Sequence, residues 1–281
     1  KLIAAGSSNF ATREGWTEWN RTVLAHLKDH ADYISLHSYV GDYANDYLGF
    51  AASSLDLQDR IRTTEGIIRS VVEPQSQRPI YIAFDEYNVW YRERGAGKEA
   101  GRRILEEIYD LQDALVVATM LNTFVNHAHI VKIANMAQLV NVIAPIFTND
   151  KGLFLQTIYF PLQLFAANVR GTALEVFVDS PGYATKRFDK VPYLDVSASL
   201  DNGAVVLNVV NRHPDREIEA EIEPFTGRLD VATVNGPALK TVNDFGSENV
   251  KTVKSVESVR GSKAVYRFPA HSFTQIKATL A

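Results

Sequence analysis

The run Phe84-Asp85-Glu86-Tyr87-Asn88-Val89-Trp90 places two carboxylates directly after an apolar stretch, Ile80-Tyr81-Ile82-Ala83-Phe84. A carboxylate at the end of a buried strand sits at the mouth of a cleft, partly desolvated and held by the scaffold, which suits nucleophilic or acid/base work. Both residues also have plainer uses: Glu86 can pair with an arginine, and Asp85 can cap a following helix. Two more apolar runs end in polar side chains. Tyr33-Ile34-Ser35-Leu36-His37 delivers His37 and Tyr39, and Ile130-Val131-Lys132-Ile133-Ala134 is followed by Asn135 and Gln138. In a parallel barrel, side chains at the C-terminal ends of strands gather on one rim. His127-Ala128-His129 has the spacing of a zinc-binding pair, with Asp85 or His37 needed as a third ligand.

Elements that could hold these side chains are legible up to residue 170. Four apolar runs, at 1–5, 33–37, 80–84 and 130–134, lack polar alternation, as strands buried on both faces do. Helical spacing lies between them, at 19–29, 56–72 and on a stripe of Ile104, Leu105, Ile108, Leu111 and Leu115, with Arg102, Arg103, Glu106 and Glu107 opposite. Pro74 and Pro79 punctuate the loop before the third strand. Strand and helix in alternation mean parallel βαβ units.

From Gly171 onward the period becomes two. Leu194, Val196, Ala198 and Leu200 alternate with Asp195, Ser197 and Ser199, and Ile218, Ala220 and Ile222 alternate with three glutamates. Asp201-Asn202-Gly203 supplies a hairpin turn, because Asn and Gly tolerate positive φ. The turn-rich stretch around Asp179-Ser180-Pro181-Gly182 suits a junction. This half predicts an antiparallel β-sandwich.

Composition narrows the function classes. With 29 basic and 33 acidic residues the formal charge is −4, and no basic run offers the counterion release that nucleic-acid binding uses. No apolar run reaches the ~18 residues of a membrane-spanning helix, and no signal-peptide layout opens the chain, so neither nucleic acid nor membrane is an expected partner. Zero cysteines removes thiol catalysis, iron–sulfur clusters and cysteine-held zinc.

Asp85-Glu86-Tyr87-Asn88-Val89-Trp90-Tyr91 closely resembles the nucleophile segment of glycoside hydrolase family 51, the α-L-arabinofuranosidases. Asp32-Tyr33-Ile34-Ser35-Leu36-His37-Ser38-Tyr39 resembles the strand end that precedes it. Met136-Ala137-Gln138-Leu139-Val140-Asn141-Val142-Ile143-Ala144-Pro145-Ile146 resembles the last barrel helix of that family. Val191-Pro192-Tyr193-Leu194-Asp195, Val234-Asn235-Gly236-Pro237 and Pro269-Ala270-His271-Ser272-Phe273 resemble its C-terminal sandwich.

The resemblance implies a retaining exo-glycosidase that releases terminal arabinofuranose from arabinan or arabinoxylan fragments, with no metal or organic cofactor. Glu86 would be the nucleophile and Tyr39 the group that orients it. His37, Gln138, Asn88 and Trp90 would meet substrate, although a loop-anchoring Trp90 is an equal reading. Family members are commonly oligomeric and cytoplasmic, so a homo-oligomer is expected. Other retaining activities of the same clan (endoglucanase, β-xylosidase) and a non-catalytic carbohydrate-binding or assembly fragment are the alternatives.

A retaining mechanism needs a second carboxyl group about 5–5.5 Å from the first. In this clan it is a Glu preceded by Asn, and the chain contains no Asn-Glu pair. By the family's count the nucleophile strand is the seventh, and here it is the third. A (β/α)₈ barrel takes ~250 residues, and the sandwich leaves only 170. The expected fold is therefore α/β plus all-β. Residues 1–170 would be the second half of a TIM barrel, strands five to eight, and residues 171–281 a jelly-roll-like sandwich. The N-terminal half of the same enzyme, carrying the acid/base, would be a separate chain or a missing segment, and Lys1 would mark the cut.

Three weaker signals are set aside. Arg94-Gly95-Ala96-Gly97-Lys98-Glu99 lacks the opening Gly and the closing Ser or Thr of a phosphate loop. Asn20-Arg21-Thr22 is a formal glycosylation sequon. Trp16 and Trp19 suit packing at a helix start better than stacking on sugar.

Overall fold

The computed structural model describes residues 1–8, 10–72, 78–91, 105–223, 225–259 and 263–280. Its first part runs β1 (Ile3–Ala4), α1 (Arg13–Leu27), β2 (Tyr33–Val40), α2 (Tyr47–Ala51), α3 (Ser53–Val71), β3 (Tyr81–Val89), α4 (Leu111–Asn126) and β4 (Val131–Met136). The four strands form one parallel sheet in the order β1-β2-β3-β4. Ile34, Leu36, Ile82 and Phe84 leave its surface to meet Leu24 of α1, Leu57 and Ile61 of α3, and Met120 and Phe124 of α4 in one buried cluster. All four apolar runs that predict strands form them. Among the described residues no strand pairs with the outer side of β1 or of β4, and Leu2 and Ile3 beside the β1 edge are exposed.

A hairpin of β5 (Ile146–Asn149) and β6 (Gly152–Leu155) and helix α5 (Tyr159–Asn168) lead to the second part. There follow β7 (Thr172–Leu174), β8 (Gly182–Tyr183), β9 (Val191–Pro192), β10 (Leu194–Asp201), β11 (Ala204–Asn211), β12 (Ile218–Ile222), β13 (Phe225–Asn235), β14 (Lys251–Val259), β15 (Ala264–Phe268) and β16 (Ser272–Leu280). An antiparallel six-stranded sheet, β14-β13-β16-β11-β10-β7, is covered on one side by the β12-β15 pair. Leu207, Val209, Leu229 and Ile276 meet Ile222, Tyr266 and Phe268 between them. The turn at Asn202-Gly203 has both φ angles positive, 49° and 78°, as its sequence predicts. The stretch around Asp179-Ser180-Pro181-Gly182 connects β7 to β8 and so lies inside this part.

The other side of the six-stranded sheet is buried too. Val210, Ala232, Val234 and Phe273 pack on Leu111, Leu115 and Ala118 of α4 and on Phe160, Leu164 and Phe165 of α5. Its polar residues form a chain of hydrogen bonds across the junction: Ser197 Oγ donates to Asn122 Oδ1 at 2.7 Å, Asn208 Nδ2 to Ser197 Oγ at 3.2 Å and Gln275 Nε2 to Asn208 Oδ1 at 2.8 Å. Arg212, 1% exposed, reaches across as well. It donates to Ala51 O at 3.0 Å, Pro192 O at 2.8 Å, Ser54 Oγ at 2.7 Å and Asp195 Oδ2 at 2.5 Å.

Three expectations are corrected. The helix predicted on the Leu105–Leu115 stripe starts only at Leu111 (Arg102, Arg103 and Ile104 lie outside the described residues). Asp110 is extended and closes a capping box, with its side chain accepting from Asp113 N while the Asp113 carboxylate accepts from Asp110 N at 2.9 Å. Leu105 and Ile108 are consequently exposed. The segment resembling a last barrel helix is an irregular loop between the end of β4 at Met136 and the start of β5 at Ile146, in which Asn141 and Ile143 have φ of 61° and 41°. Helix α1 begins six residues before the predicted Trp19, where the Thr12 side chain accepts from Gly15 N.

Candidate active site

β2 and β3 pair in register up to Leu36 with Phe84, and the next pair is His37 with Glu86. Asp85 is the extra residue of a β-bulge, a device that re-aims side chains next to functional sites. His37 and Tyr39, two apart on β2, share a face. Tyr39 Oη donates to Glu86 Oε2 at 2.9 Å. His37 stands between the carboxylates, with Nδ1 3.3 Å from Glu86 Oε2 and Nε2 3.3 Å from Asp85 Oδ1. The Glu86 side chain is 46% exposed, against 29% for His37 and 34% for Asp85.

The Trp90 indole closes one side, edge-on to Tyr39 with ring centroids 5.2 Å apart. Its backbone is tied at both ends: Trp90 N donates to Val40 O at 2.8 Å, and Tyr43 Oη donates to Trp90 O at 2.5 Å. Gln138 lies exposed just past β4, in a loop anchored by Ala137 N donating to Tyr87 O at 3.2 Å. Asn135 is exposed nearby.

Asn88 differs from expectation. It is fully buried, and its amide donates to Ala137 O at 2.6 Å and Ile143 O at 2.5 Å while Oδ1 accepts from Val89 N at 2.8 Å. With its polar atoms committed inward it has nothing to offer a sugar; it ties the loop carrying Gln138 to β3. Replacing Asn88 by Ala is expected to destabilise the chain by about 2–3 kcal/mol, because two carbonyls lose their donor in a dry site. Urea denaturation with an unchanged m-value checks this.

Supports that sequence reasoning missed lie behind β3. Tyr109 Oη donates to Val89 O at 2.8 Å, and burial drives its pKa upward. Tyr91 Oη donates to Asp113 Oδ1 at 2.6 Å. Buried Gln156 accepts from Tyr109 N at 2.9 Å and donates to Glu107 O at 2.9 Å and Ala144 O at 2.8 Å. No motif marks these residues, since each works through a partner distant in sequence.

The remaining sequence signals fall elsewhere. His127 precedes β4, at the end of the sheet opposite His37 and Asp85; its Nδ1 lies 2.9 Å from Thr123 O, and His129 Nε2 lies 3.3 Å from Glu65 Oε2. Among the described residues no three His, Asp or Glu side chains converge as a metal ion requires. Burial holds the His127 imidazole below its usual pKa. As pH falls below ~6.5 the unfolded chain binds a proton that the folded chain refuses, so stability is present above that pH and declines below it. His127→Gln is expected to flatten this decline in denaturation curves taken between pH 7.5 and 5.

Residues 94–99 lie outside the described set. Asn20 of the sequon is buried, its Nδ2 included, so the folded chain does not present that nitrogen to a glycan; its Oδ1 accepts from Ser7 N at 2.8 Å. Trp16 is buried against Phe10, while Trp19 is exposed with Nε1 donating to Ala5 O at 3.1 Å. No described helix is long and apolar enough to cross a membrane.

Residues 85–272 match the family model of the α-L-arabinofuranosidase C-terminal domain. The chain is 38% identical to an intracellular exo-α-(1→5)-L-arabinofuranosidase of Halalkalibacterium halodurans, over 81% of its own length and 47% of that relative. It is also 38% identical to intracellular exo-α-(1→5)-L-arabinofuranosidase 1 of Bacillus subtilis, over 79% of this chain and 46% of that one. The chain thus spans about half the length of the curated relatives it matches. Among solved structures, it resembles a family 51 α-L-arabinofuranosidase from Bifidobacterium longum with a TM-score of 0.89 at 26% identity, covering 99% of this chain and 58% of that one. An α-L-arabinofuranosidase from Thermotoga maritima gives 0.86 at 26% identity, covering 100% and 58%.

Proposed function

Since this chain belongs to the α-L-arabinofuranosidases of glycoside hydrolase family 51, we propose that it carries the nucleophile of a retaining exo-glycosidase that releases terminal α-L-arabinofuranosyl groups. Glu86 attacks the anomeric carbon through one carboxylate oxygen and forms a covalent glycosyl-enzyme, which water then cleaves with net retention. The observation that carries this reading is the Tyr39 hydroxyl at 2.9 Å from Glu86 Oε2, at the end of a parallel strand and beside a half-exposed carboxylate. The hydroxyl hydrogen-bonds one oxygen and leaves the other for attack. His37, Gln138 and Trp90 line the approach and meet the sugar.

A single nucleophile does not complete the reaction. The chain has no Asn-Glu pair of the kind that supplies the acid/base in this clan, so we assign the proton donor to the leaving oxygen to a Glu outside this chain. We assign residues 1–170 to half of a (β/α)₈ barrel and residues 171–281 to its sandwich. Two observations favour this: among the described residues the outer sides of β1 and β4 have no strand partner, and the relatives are about twice as long. The partner is the N-terminal half of the enzyme, and the assembled protein is an intracellular homo-oligomer acting on arabinose-containing oligosaccharides.

Incubation of the assembled protein with a 2-fluoro-arabinofuranosyl donor bearing a good leaving group tests the nucleophile. Fluorine at C2 slows hydrolysis of the intermediate, so the label accumulates. Peptide mass spectrometry is expected to find it on Glu86; a label on another carboxylate would refute the assignment. Tyr39→Phe, which removes one hydrogen bond to a charged group, is expected to lower kcat about 10- to 100-fold with little change in KM, as steady-state kinetics would show.

A further inference from the structure

Asp85 stands outside the pairing ladder, with one carboxylate oxygen turned inward. The slip between β2 and β3 leaves it unpaired beside the His37–Glu86 pair, and its Oδ1, buried and without a hydrogen-bond partner, lies 3.3 Å from His37 Nε2. The other ring nitrogen lies 3.3 Å from Glu86 Oε2, the oxygen that also receives the Tyr39 hydroxyl. Each ring nitrogen thus faces a carboxylate oxygen at ion-pair distance, and since carboxylate oxygens only accept, a ring nitrogen that carries its proton is the favoured neighbour at each.

Imidazole orientation has a twofold ambiguity about χ2. Turning the ring by half a revolution would put carbon where nitrogen stands, at both carboxylates. A second carboxylate at Nε2 removes that ambiguity, because only one orientation gives both oxygens a nitrogen. Glu86 has a similar freedom at its terminal torsion. Tyr39 and His37 together converge on Oε2 and leave no donor on Oε1 among the described residues.

We propose that Asp85 is a positioning residue for the nucleophile: acting through the His37 ring, it fixes Glu86 Oε2 and leaves Oε1 to attack. The proposal rests on the reading of Glu86 as nucleophile, so its test begins with the ring and not with turnover. In the chain labelled with ¹⁵N-histidine, long-range ¹H–¹⁵N spectra resolve the ring nitrogens, and the signals lost in His37→Gln identify His37. Asp85→Asn is expected to move both His37 ring nitrogens while the other six histidines and the backbone amides keep their positions. Asp85→Ser, smaller and unable to clash, repeats the measurement should the amide fail to fold.

His37 signals unmoved by both substitutions overturn the proposal. So does movement of Nε2 alone, which would show that Asp85 does not act on the nitrogen facing Glu86. In the assembled enzyme Asp85→Asn is expected to lower kcat with KM unchanged, with no further loss when His37→Gln is added; independent, additive losses overturn it. Full activity in Glu86→Ala would sink the nucleophile reading instead, and the ring spectra would still report whether Asp85 holds His37.

Discussion

Glu86→Ala in the assembled enzyme is expected to lower kcat on an aryl α-L-arabinofuranoside by about 10⁴-fold or more, the scale on which removal of a covalent nucleophile acts. The fold should survive, because the side chain is half exposed and its two partners, Tyr39 and His37, can turn to water. The size of the loss alone does not identify the role, since removal of a proton donor is also severe. The product does. A small anion such as azide fits the space the carboxylate leaves and attacks the sugar from the same face. It should restore turnover and yield an arabinosyl azide of inverted configuration, whereas rescue of a missing acid/base gives a retained product. Nuclear magnetic resonance of the azide product distinguishes the two, and a retained anomer would move Glu86 out of the nucleophile's place.

The second large effect lies far from the cleft. Arg212→Ala is expected to cost about 3–5 kcal/mol, because it strands the Asp195 carboxylate and withdraws donors from two carbonyls and a hydroxyl in a buried junction. For a chain of this size that corresponds to roughly 6–20 °C in Tm. Arg212→Lys should recover only part of it, since one ammonium cannot span the fork of partners the guanidinium reaches. The double change Arg212→Met with Asp195→Leu should be milder than Arg212→Ala, because no charge is left buried alone. Thermal and urea denaturation of the four proteins checks the order; a double variant worse than Arg212→Ala would mean that packing, and not the stranded charge, dominates.

Much of this was readable in the residues. Runs such as Ile80-Tyr81-Ile82-Ala83-Phe84 announce strands because burial on both faces asks for apolar side chains almost without interruption, and Ile82, Ala83 and Phe84 are all buried. The pairing of Tyr39 with Glu86 follows from the family resemblance, and the geometry places them in contact. What stayed hidden has physical reasons. The bulge at Asp85 is a property of two strands in register, and neither strand alone encodes it. Asn88 looked like a rim residue because amides serve sugars and buried carbonyls equally well; only the loop returning at Ala137 and Ile143 decides. The apolar stripe through Leu105 and Ile108 has helical spacing, but the Asp110 capping box sets a start that hydrophobic periodicity does not detect. Likewise Ser197, Asn208 and Gln275 alternate with apolar neighbours as solvent-facing residues would, yet they are buried against α4 and α5.

Helix α4 joins three clusters at once. Met120 and Phe124 enter the core under the parallel sheet, Leu111, Leu115 and Ala118 the underside of the sandwich, and Val116 and Val117 a group with Val89, Tyr91 and Tyr109. A helix shared in this way cannot unravel for one neighbour and stay formed for the others. Its amides should therefore be among the slowest in the molecule to exchange with deuterated water, opening only with the whole chain. The sandwich is then not an appendage that evolution or an engineer could trade for another module. Its loss would leave α4 with a naked apolar flank and loosen the strand that carries Glu86.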